Sequence, residues 1–590
     1  MEDLLLRQPE LNEQTAADRV ADWLRAFETA VVRADRSALN NLFVEDAQWR
    51  DLVAFTWSIT PHDGRAAIID RLMANQKFVN AHGFKIAQDR TPPRDVKRLG
   101  VTVTEGIFEF ETQVGRCYGV VRLPVDQPGK AWVFMTSLQE LKGHEPAVGP
   151  RRPMGAAHSR FTGGDNWADR REKEQAFTDR DPAVLIVGAG QSGLSLAARL
   201  RLVGVDALCV DKEQRVGDTW RKRYHSLALH NQVALNHMAH LPFPSSWPKY
   251  LPKDMLANWL EFYANAMECN VWTSSELVSA RYDDESGVWH AVVRKADGST
   301  RLMKPRHLVL ANGIVGAPKM PNMPGLEKFK GDLVHTHGYK NGAAWQGKNA
   351  IVIGAGTSGH DIAQDLHGHG VNTTMIQRGP ITVVSIKAAT LAYTLYYDEG
   401  LPTEECDLIA TSHTFPLALK GAQLLARKMQ EADKPLLDRL EARGFKLDLG
   451  EDGGGYQTKV RRTHSGYYLN CGCSELIANG EVGLVQHEDI DRFVEEGLLM
   501  KDGRVLPADL VVAATGYQSQ QEVVRELLGD DVAEKVGPIW GLAPDGELNN
   551  MYRPTPQPGL WFMGSGLSQA RIYSHFIALQ IQARELGLVN

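Results

Sequence analysis

The sequence predicts an α/β protein with two parallel sheets, preceded by a separate α+β unit, and three observations predict it. A fully apolar run, AVLIVG (183–188), ends in a glycine cluster, leads into the helical pattern LSLAARLRLVG and is followed by a second buried strand, VDALCVD. The same order of events repeats in NAIVIGAGTSGHDIAQDLHGHGVNTTMIQR (349–378). Strand, turn, helix and strand in that order make the βαβ unit of a parallel sheet. The third observation is the texture of the first 145 residues, where amphipathic helix patterns precede long alternating runs.

Residues 1–145 form the first expected domain. Helical periodicity marks RVADWLRAFETAVVRAD (19–35) and RAAIIDRLMANQ (65–76). TVTEGIFEFETQ (102–113), RCYGVVRLPV (116–125) and KAWVFMTSLQEL (130–141) alternate as strands of a curved antiparallel sheet with one buried face. Residues 146–181 are rich in Gly, Pro, Arg and Asp without periodicity, the texture of a linker. The two βαβ units then divide the rest into 182–345, 346–474 and 475–590, the last part returning to the first unit. Within the middle part, from about 386, the helical stretches ALKGAQLLARKMQ and PLLDRLEARGF and the glycines 453–455 read as an insertion. Such an insertion either shapes access to a site or is a solvated decoration, and the sequence leaves both open.

The bulk properties narrow the class. A chain of 590 residues exceeds what one hydrophobic core organises. With 43% hydrophobic and 23% charged residues it is globular rather than disordered. A net charge of -7 gives no basic field for a polyphosphate, which argues against a nucleic-acid partner. The start, MEDLLLRQPELNEQ, lacks the basic and apolar regions of a secretory signal. No run reaches the roughly 18 uninterrupted apolar residues of a membrane span, so a cytoplasmic protein with no membrane partner is expected. Six cysteines are too sparse for a disulfide scaffold. Cys471 and Cys473 form a CxC pair without a second Cys/His pair nearby, so no metal is expected.

The glycine clusters carry the chemistry. Gly188, Gly190 and Gly193 form G-x-G-x-x-G directly after a strand. The first glycine allows the tight turn, the second lets a pyrophosphate approach the backbone, and the third lets helix and strand pack closely. Gln191 and Ser192 open the following helix, whose free N–H groups and dipole attract phosphate. Asp211, 23 residues after Gly188 and followed by Lys212, is placed to accept hydrogen bonds from an adenosine ribose. Gly354, Gly356 and Gly359, with Thr357 and Ser358, repeat the motif, and the same count lands on Gln377 with Arg378 next. An acid there would repel the 2′-phosphate of NADP, whereas an amide beside a guanidinium accepts it. Gln377 can also bond a bare ribose, which leaves NADH use open alongside NADPH. These are two Rossmann-like dinucleotide-binding domains, and together they imply traffic between a bound flavin, FAD, and a diffusible nicotinamide. Cys209 and Cys269 stand alone rather than as a redox pair, so molecular oxygen is the expected acceptor.

Between the two glycine motifs stands Phe329-Lys-Gly331-Asp-Leu-Val-His335-Thr-His-Gly-Tyr339-Lys340. It resembles the F-x-G-x-x-x-H-x-x-x-Y/F motif of the flavin-containing monooxygenases, a family of class B flavoprotein monooxygenases. The related Baeyer–Villiger enzymes usually carry Trp at the position of Tyr339. VGDTW (216–220) resembles the loop around the isoalloxazine, ADLVVAATGYQ (508–518) the segment joining the domains, and GLWFMGSGL (559–567) the last strand and turn over FAD. The resemblance runs in family order from about 182 to 590. The N-terminal extension, Tyr339-Lys340 and LHNQ (229–232) resemble the bacterial type II members, which are associated with Baeyer–Villiger and heteroatom oxidation and with relaxed coenzyme choice.

The resemblance implies that NADPH reduces the flavin and stays bound, and that oxygen adds at the flavin C4a. The adduct then oxidises a small sulfide or amine or attacks a ketone. It further implies catalytic roles for Asn231, His335, Tyr339 and Arg571, with Tyr573 beside the last; His335 alternatively orders the nicotinamide domain, and Arg571 and Tyr573 alternatively start a helix. Trp220, His230, Asn231, Thr515, Gly516 and Gln569 join the glycine turns as cofactor-binding candidates. The first domain more loosely resembles an NTF2-like or SnoaL-like cone, on LFVEDAQWRD (42–51). Asp46, Trp49, Arg50 and Asp51 either line a pocket there or serve as caps and pairs. Docking on the flavin body, a homodimer and a second ligand site are the roles open to it. Two other functions fit less well: an N-hydroxylase with a narrow amine substrate, and a non-enzymatic binding protein with a vestigial flavin part.

Overall fold

The computed structural model describes residues 14–155, 163–314 and 316–589. It divides into two compact units, one running to Gly143 and including Glu404–Thr414, the other made of His144–Thr403 and the chain from Phe415 onward.

The first unit is a seven-stranded sheet with helices Ala16–Val32, Arg36–Asn41 and Arg65–Val79 and most of the later helix Thr403–Thr411. Its strand order is Ile59–Asp63, Phe43–Leu52, Ala131–Leu141, Gly115–Pro124, Val101–Glu111 and His82–Ile86, with Arg94–Arg98 also on Val101–Glu111. Pairing is antiparallel except between Phe43–Leu52 and Ala131–Leu141. Helix Ala16–Val32 starts on a capping box made by Thr15 and Asp18. It buries Trp23 and Phe27 in a ring cluster with Phe43, Phe84, Phe108 and Phe134.

The polar residues of that unit hold structure. Asp51 is buried, and its carboxylate accepts from Phe55 N, Thr56 N, Thr56 Oγ1 and Thr136 Oγ1. Burial pushes its carboxyl up to about 6. Trp49 donates its ring N–H to Thr136, and Asp46 is exposed. Arg50 donates to Thr411 O at 2.8 Å, so the segment Glu404–Thr414 fills part of this unit. Buried Arg122 pairs with Glu105 at 2.8 Å, contacts His413 Nε2 at 3.1 Å and donates to Ile409 O at 3.4 Å. The expectation that 386–474 forms one insertion in the second nucleotide unit is corrected here, because the contacts of Glu404–Thr414 lie with residues far earlier in the chain.

The second unit holds two five-stranded parallel sheets. The first runs Val271–Trp272, Ala207–Val210, Val184–Val187, His307–Leu310, Leu560–Phe562. The second runs Asp332–His335, Leu510–Ala513, Asn349–Ile353, Asn372–Gln377, Gly483–Gln486. Each fingerprint strand is central, which explains its unbroken apolar run. The second sheet exceeds the expected limits 346–474, taking one strand from before them and two from after. The region read as an insertion contributes the strand Tyr467–Asn470, which pairs in parallel with Thr382–Ser385 just before it, and the long helix Phe415–Ala442. Among the described residues no helix is long and apolar enough to cross a membrane.

Candidate active site

Both glycine turns are built alike. Gly188 and Gly354 sit at φ +105° and +113°, and a Cβ on either would lie 2.7 or 2.5 Å from the carbonyl oxygen of Ala311 or Ala514. Those positions need glycine for conformation and for closeness to the neighbouring strand. A Cβ on Gly193 would stand 1.9 Å from Gly188 O, and one on Gly359 2.0 Å from Gly354 O. The third glycines therefore let each helix lie against its own turn. At Gly190 and Gly356 a Cβ would meet nothing within 4 Å. Here glycine leaves free space rather than avoiding a clash.

Helices Gln191–Leu202 and Thr357–Gly368 start directly after these open positions, and neither has a capping side-chain hydrogen bond. Their first N–H groups and positive dipole ends meet the open space, the environment a pyrophosphate requires. The residues present thus fit a dinucleotide in each cradle. Ser192 is buried behind the first, and Thr357 donates to Tyr467 O at 3.1 Å beside the second, with Ser358 half-buried.

The strand-end residues differ between the two cradles. Asp211 accepts from Ala189 N at 2.7 Å and Glu213 N at 2.9 Å, which ties it to the first glycine turn. Burial raises its carboxyl above the ordinary range, and the lone pairs left over suit a ribose hydroxyl. Lys212 beside it is exposed. Gln377 corrects an expectation. It is fully buried, its Nε2 donates to Lys446 O at 2.8 Å, and its Oε1 accepts from Lys446 N at 2.8 Å and Gln486 Nε2 at 3.0 Å. An amide held on both sides by one backbone residue is not free for a coenzyme. Arg378 is exposed and has no partner among the described residues.

Around the first cradle, Trp220 Nε1 donates to Gln191 Oε1 at 3.3 Å, and Gln191 Nε2 to Ser565 O at 3.0 Å. Gln569 Oε1 accepts from Ser568 Oγ at 3.1 Å. The LHNQ loop is held from several sides. Asn231 O accepts from Asn236 Nδ2 at 2.9 Å, and Gln232 N donates to Tyr397 Oη at 3.0 Å. Burial lowers His230 to about 4, so its ring is neutral at neutral pH.

Three residues named as catalytic candidates hydrogen-bond other parts of the protein. Buried Arg571 donates through Nη1 to Leu235 O at 2.9 Å and His237 O at 2.6 Å, clamping the loop after Asn231. His335 accepts from His337 N at 3.1 Å on Nδ1, which puts its proton on Nε2, donated to Gly516 O at 2.9 Å. Tyr339 is buried and donates to Asp365 Oδ2 at 2.6 Å. In these bonds all three hold segments of the protein, which for His335 is the ordering role weighed beside the catalytic one. Tyr573 stacks on Tyr552 at 4.2 Å. Thr515 donates to Lys319 O at 2.5 Å, and Gly516 adopts φ +76°.

The sequence reading missed His360, Asp361 and Asp365 on helix Thr357–Gly368. His360 is fully buried, stacks on Tyr468 at 4.0 Å, and contacts Gly356 O at 3.2 Å, with burial lowering it to about 4. Its Nε2 has no hydrogen-bond partner among the described residues. The period-four spacing of Asp361 and Asp365 was the available signal, but acids on a helix usually read as a solvated face.

The model of the flavin-binding monooxygenase-like family matches residues 181–536. The chain is 31% identical over 350 residues to "Indole-3-pyruvate monooxygenase YUCCA1" of Oryza sativa subsp. japonica, covering 57% of this chain and 77% of that protein. It is 31% identical over 343 residues to "Probable indole-3-pyruvate monooxygenase YUCCA3" of Arabidopsis thaliana, covering 57% and 73%. The solved structure of cyclohexanone monooxygenase with bound epsilon-caprolactone has the same fold at 19% identity and a TM-score of 0.50, covering 69% of this chain and 88% of that one. On a family match across more than half its length, the chain belongs to the flavin-binding monooxygenase-like family.

Proposed function

We propose that this flavin-dependent monooxygenase holds FAD in the Gly188–Gly193 cradle and NADPH in the Gly354–Gly359 cradle, and inserts one oxygen atom of O2 into a small carbonyl compound, or oxidises a sulfide or amine. One observation carries the reading: two glycine turns of the same geometry, each open at its middle glycine and each starting an uncapped helix, lie in one compact unit. When bound, the flavin supplies the activation of oxygen, so the chain needs no nucleophile of its own.

The residues then divide the work. Helix N–H groups hold the phosphates, Asp211 accepts from the FAD ribose, and Trp220 and Gln191 border the same cradle. With Gln377 occupied, the charge of Arg378 is the feature that favours NADPH over NADH. The holding bonds from Arg571, Asn236 and Tyr397 fix the loop carrying His230 and Asn231. Carbonyl substrates lead because the relatives at 31% identity are named for indole-3-pyruvate, a 2-oxo acid. The N-terminal unit, proposed here as an NTF2-like cone, acts as a structural module rather than a second ligand site, since Asp51 and Arg50 are bonded within the unit.

The test is anaerobic reduction of the yellow protein by NADPH, followed by mixing with oxygenated buffer containing ketones, 2-oxo acids, sulfides or amines. The expected result is NADPH-driven bleaching and one oxygenated product per NADPH with at least one of these classes. Protein that binds no flavin, or reduced protein that yields only hydrogen peroxide with every class, contradicts the reading.

A further inference from the structure

Helix Thr357–Gly368 begins at the second cradle, so its placement sets where a dinucleotide held there lies. Two tyrosines from outside the helix fasten it. Tyr224 donates to Asp361 Oδ2 and Tyr339 to Asp365 Oδ2, each at 2.6 Å. The two acids stand four residues apart, on one helical face. Both tyrosines are 2% exposed, which shields the bonds from water.

The origin of each tyrosine gives the pairs their meaning. Tyr224 follows the short helix Asp218–Arg221, which carries Trp220 of the first cradle. Tyr339 lies between strand Asp332–His335 and the second fingerprint strand. The two anchoring segments are joined, since His225 N donates to Lys340 O at 2.9 Å, and Asp365 Oδ2 also accepts from Gly342 N at 2.9 Å. One network therefore links the segment bordering the first cradle to the helix of the second.

Stability alone does not explain it. A phenylalanine would fill either tyrosine site, and an apolar residue would pack where Asp361 lies. Burial pushes the Asp361 carboxyl up to about 6, so a charge there weighs against the fold. Resting on the reading of the cradles as FAD and NADPH sites, we infer that Tyr224–Asp361 and Tyr339–Asp365 are positioning pairs for flavin reduction, fixing the nicotinamide-bearing helix against the flavin-bearing segment. Transfer of a hydride depends steeply on the separation and alignment of donor and acceptor.

The experiment is anaerobic stopped-flow reduction of the holoenzyme by NADPH, comparing the wild type with Tyr224→Phe, Tyr339→Phe and Asp361→Asn. The phenylalanine variants should keep their FAD content and their NADPH Kd, taken from the concentration dependence, while the limiting rate of flavin reduction falls about tenfold or more. Asp361→Asn retains an acceptor for Tyr224 and should keep most of the rate. If one phenylalanine variant does not fold, the other tests the same claim. Limiting rates equal to wild type, or lost only in proportion to lost FAD, overturn the inference. A wild-type flavin that NADPH fails to reduce overturns the cofactor reading beneath it.

Discussion

Gly190 and Gly356 are glycines for a reason opposite to that of their neighbours. Gly188, Gly193, Gly354 and Gly359 avoid carbonyl oxygens already in place, whereas a side chain at the two middle positions would enter open space. All six were legible from spacing, because a phosphate cradle admits one arrangement of glycines. Gln377 was not legible, since its partner Lys446 is remote in sequence and the bond depends on a fold the count from Gly354 does not contain. His335, Tyr339 and Arg571 were found as motif residues, but the sequence could not show that their polar atoms face the protein. With Gln377 removed from the coenzyme site, Arg378→Ala should raise KM for NADPH about tenfold and leave KM for NADH nearly unchanged, as expected for one charge-assisted contact. Equal changes for both coenzymes would take Arg378 out of that role.

At the scale of elements, long or repeated patterns were readable and short apolar runs were not. The fingerprint strands and helices stand where their patterns placed them. Asp332–His335, Gly483–Gln486 and Leu510–Ala513 are four-residue strands, and nothing in four residues says which of two sheets they join. The same ambiguity hid Thr382–Ser385, just before the presumed insertion, and Tyr467–Asn470 inside it. Gln377 fastens the Gly444–Lys446 stretch to the end of a strand, with Gln486 donating to Gly444 O at 2.8 Å. Gln377→Leu would leave the Lys446 N–H and C=O without these partners, at a cost of about 1–3 kcal/mol. Thermal unfolding should register that loss, with KM for NADPH unchanged. A variant of wild-type stability with a raised KM would return Gln377 to the coenzyme site.

For the whole molecule, a separate N-terminal unit was expected from the texture of the first 145 residues, but the return of Glu404–Thr414 to that unit was not. That return rests on Arg50 meeting Thr411 and Arg122 meeting His413 across long sequence separations. Burial alone would raise the Glu105 carboxyl, but Arg122 and Arg98 outweigh it and bring it from 4.5 to about 2. A depressed carboxyl contributes stability that is complete above its unfolded value and is lost as pH falls through its folded value. The window is therefore pH 4.5 down to about 2, and the contribution is about 3 kcal/mol. Acid unfolding followed through the first unit's tryptophans should lose this window in Glu105→Gln; an unchanged acid profile would count against the pairing.

The central claim is that one chain carries two pyrophosphate cradles with different occupants, and it is tested most directly by flavin content and NADPH-driven bleaching in Gly190→Val and Gly356→Val. The first should fold but purify without FAD, because the new side chain takes the phosphate's place. The second should stay yellow and no longer be reduced by NADPH. A yellow Gly190→Val protein, or a Gly356→Val protein reduced at the wild-type rate, would contradict the account.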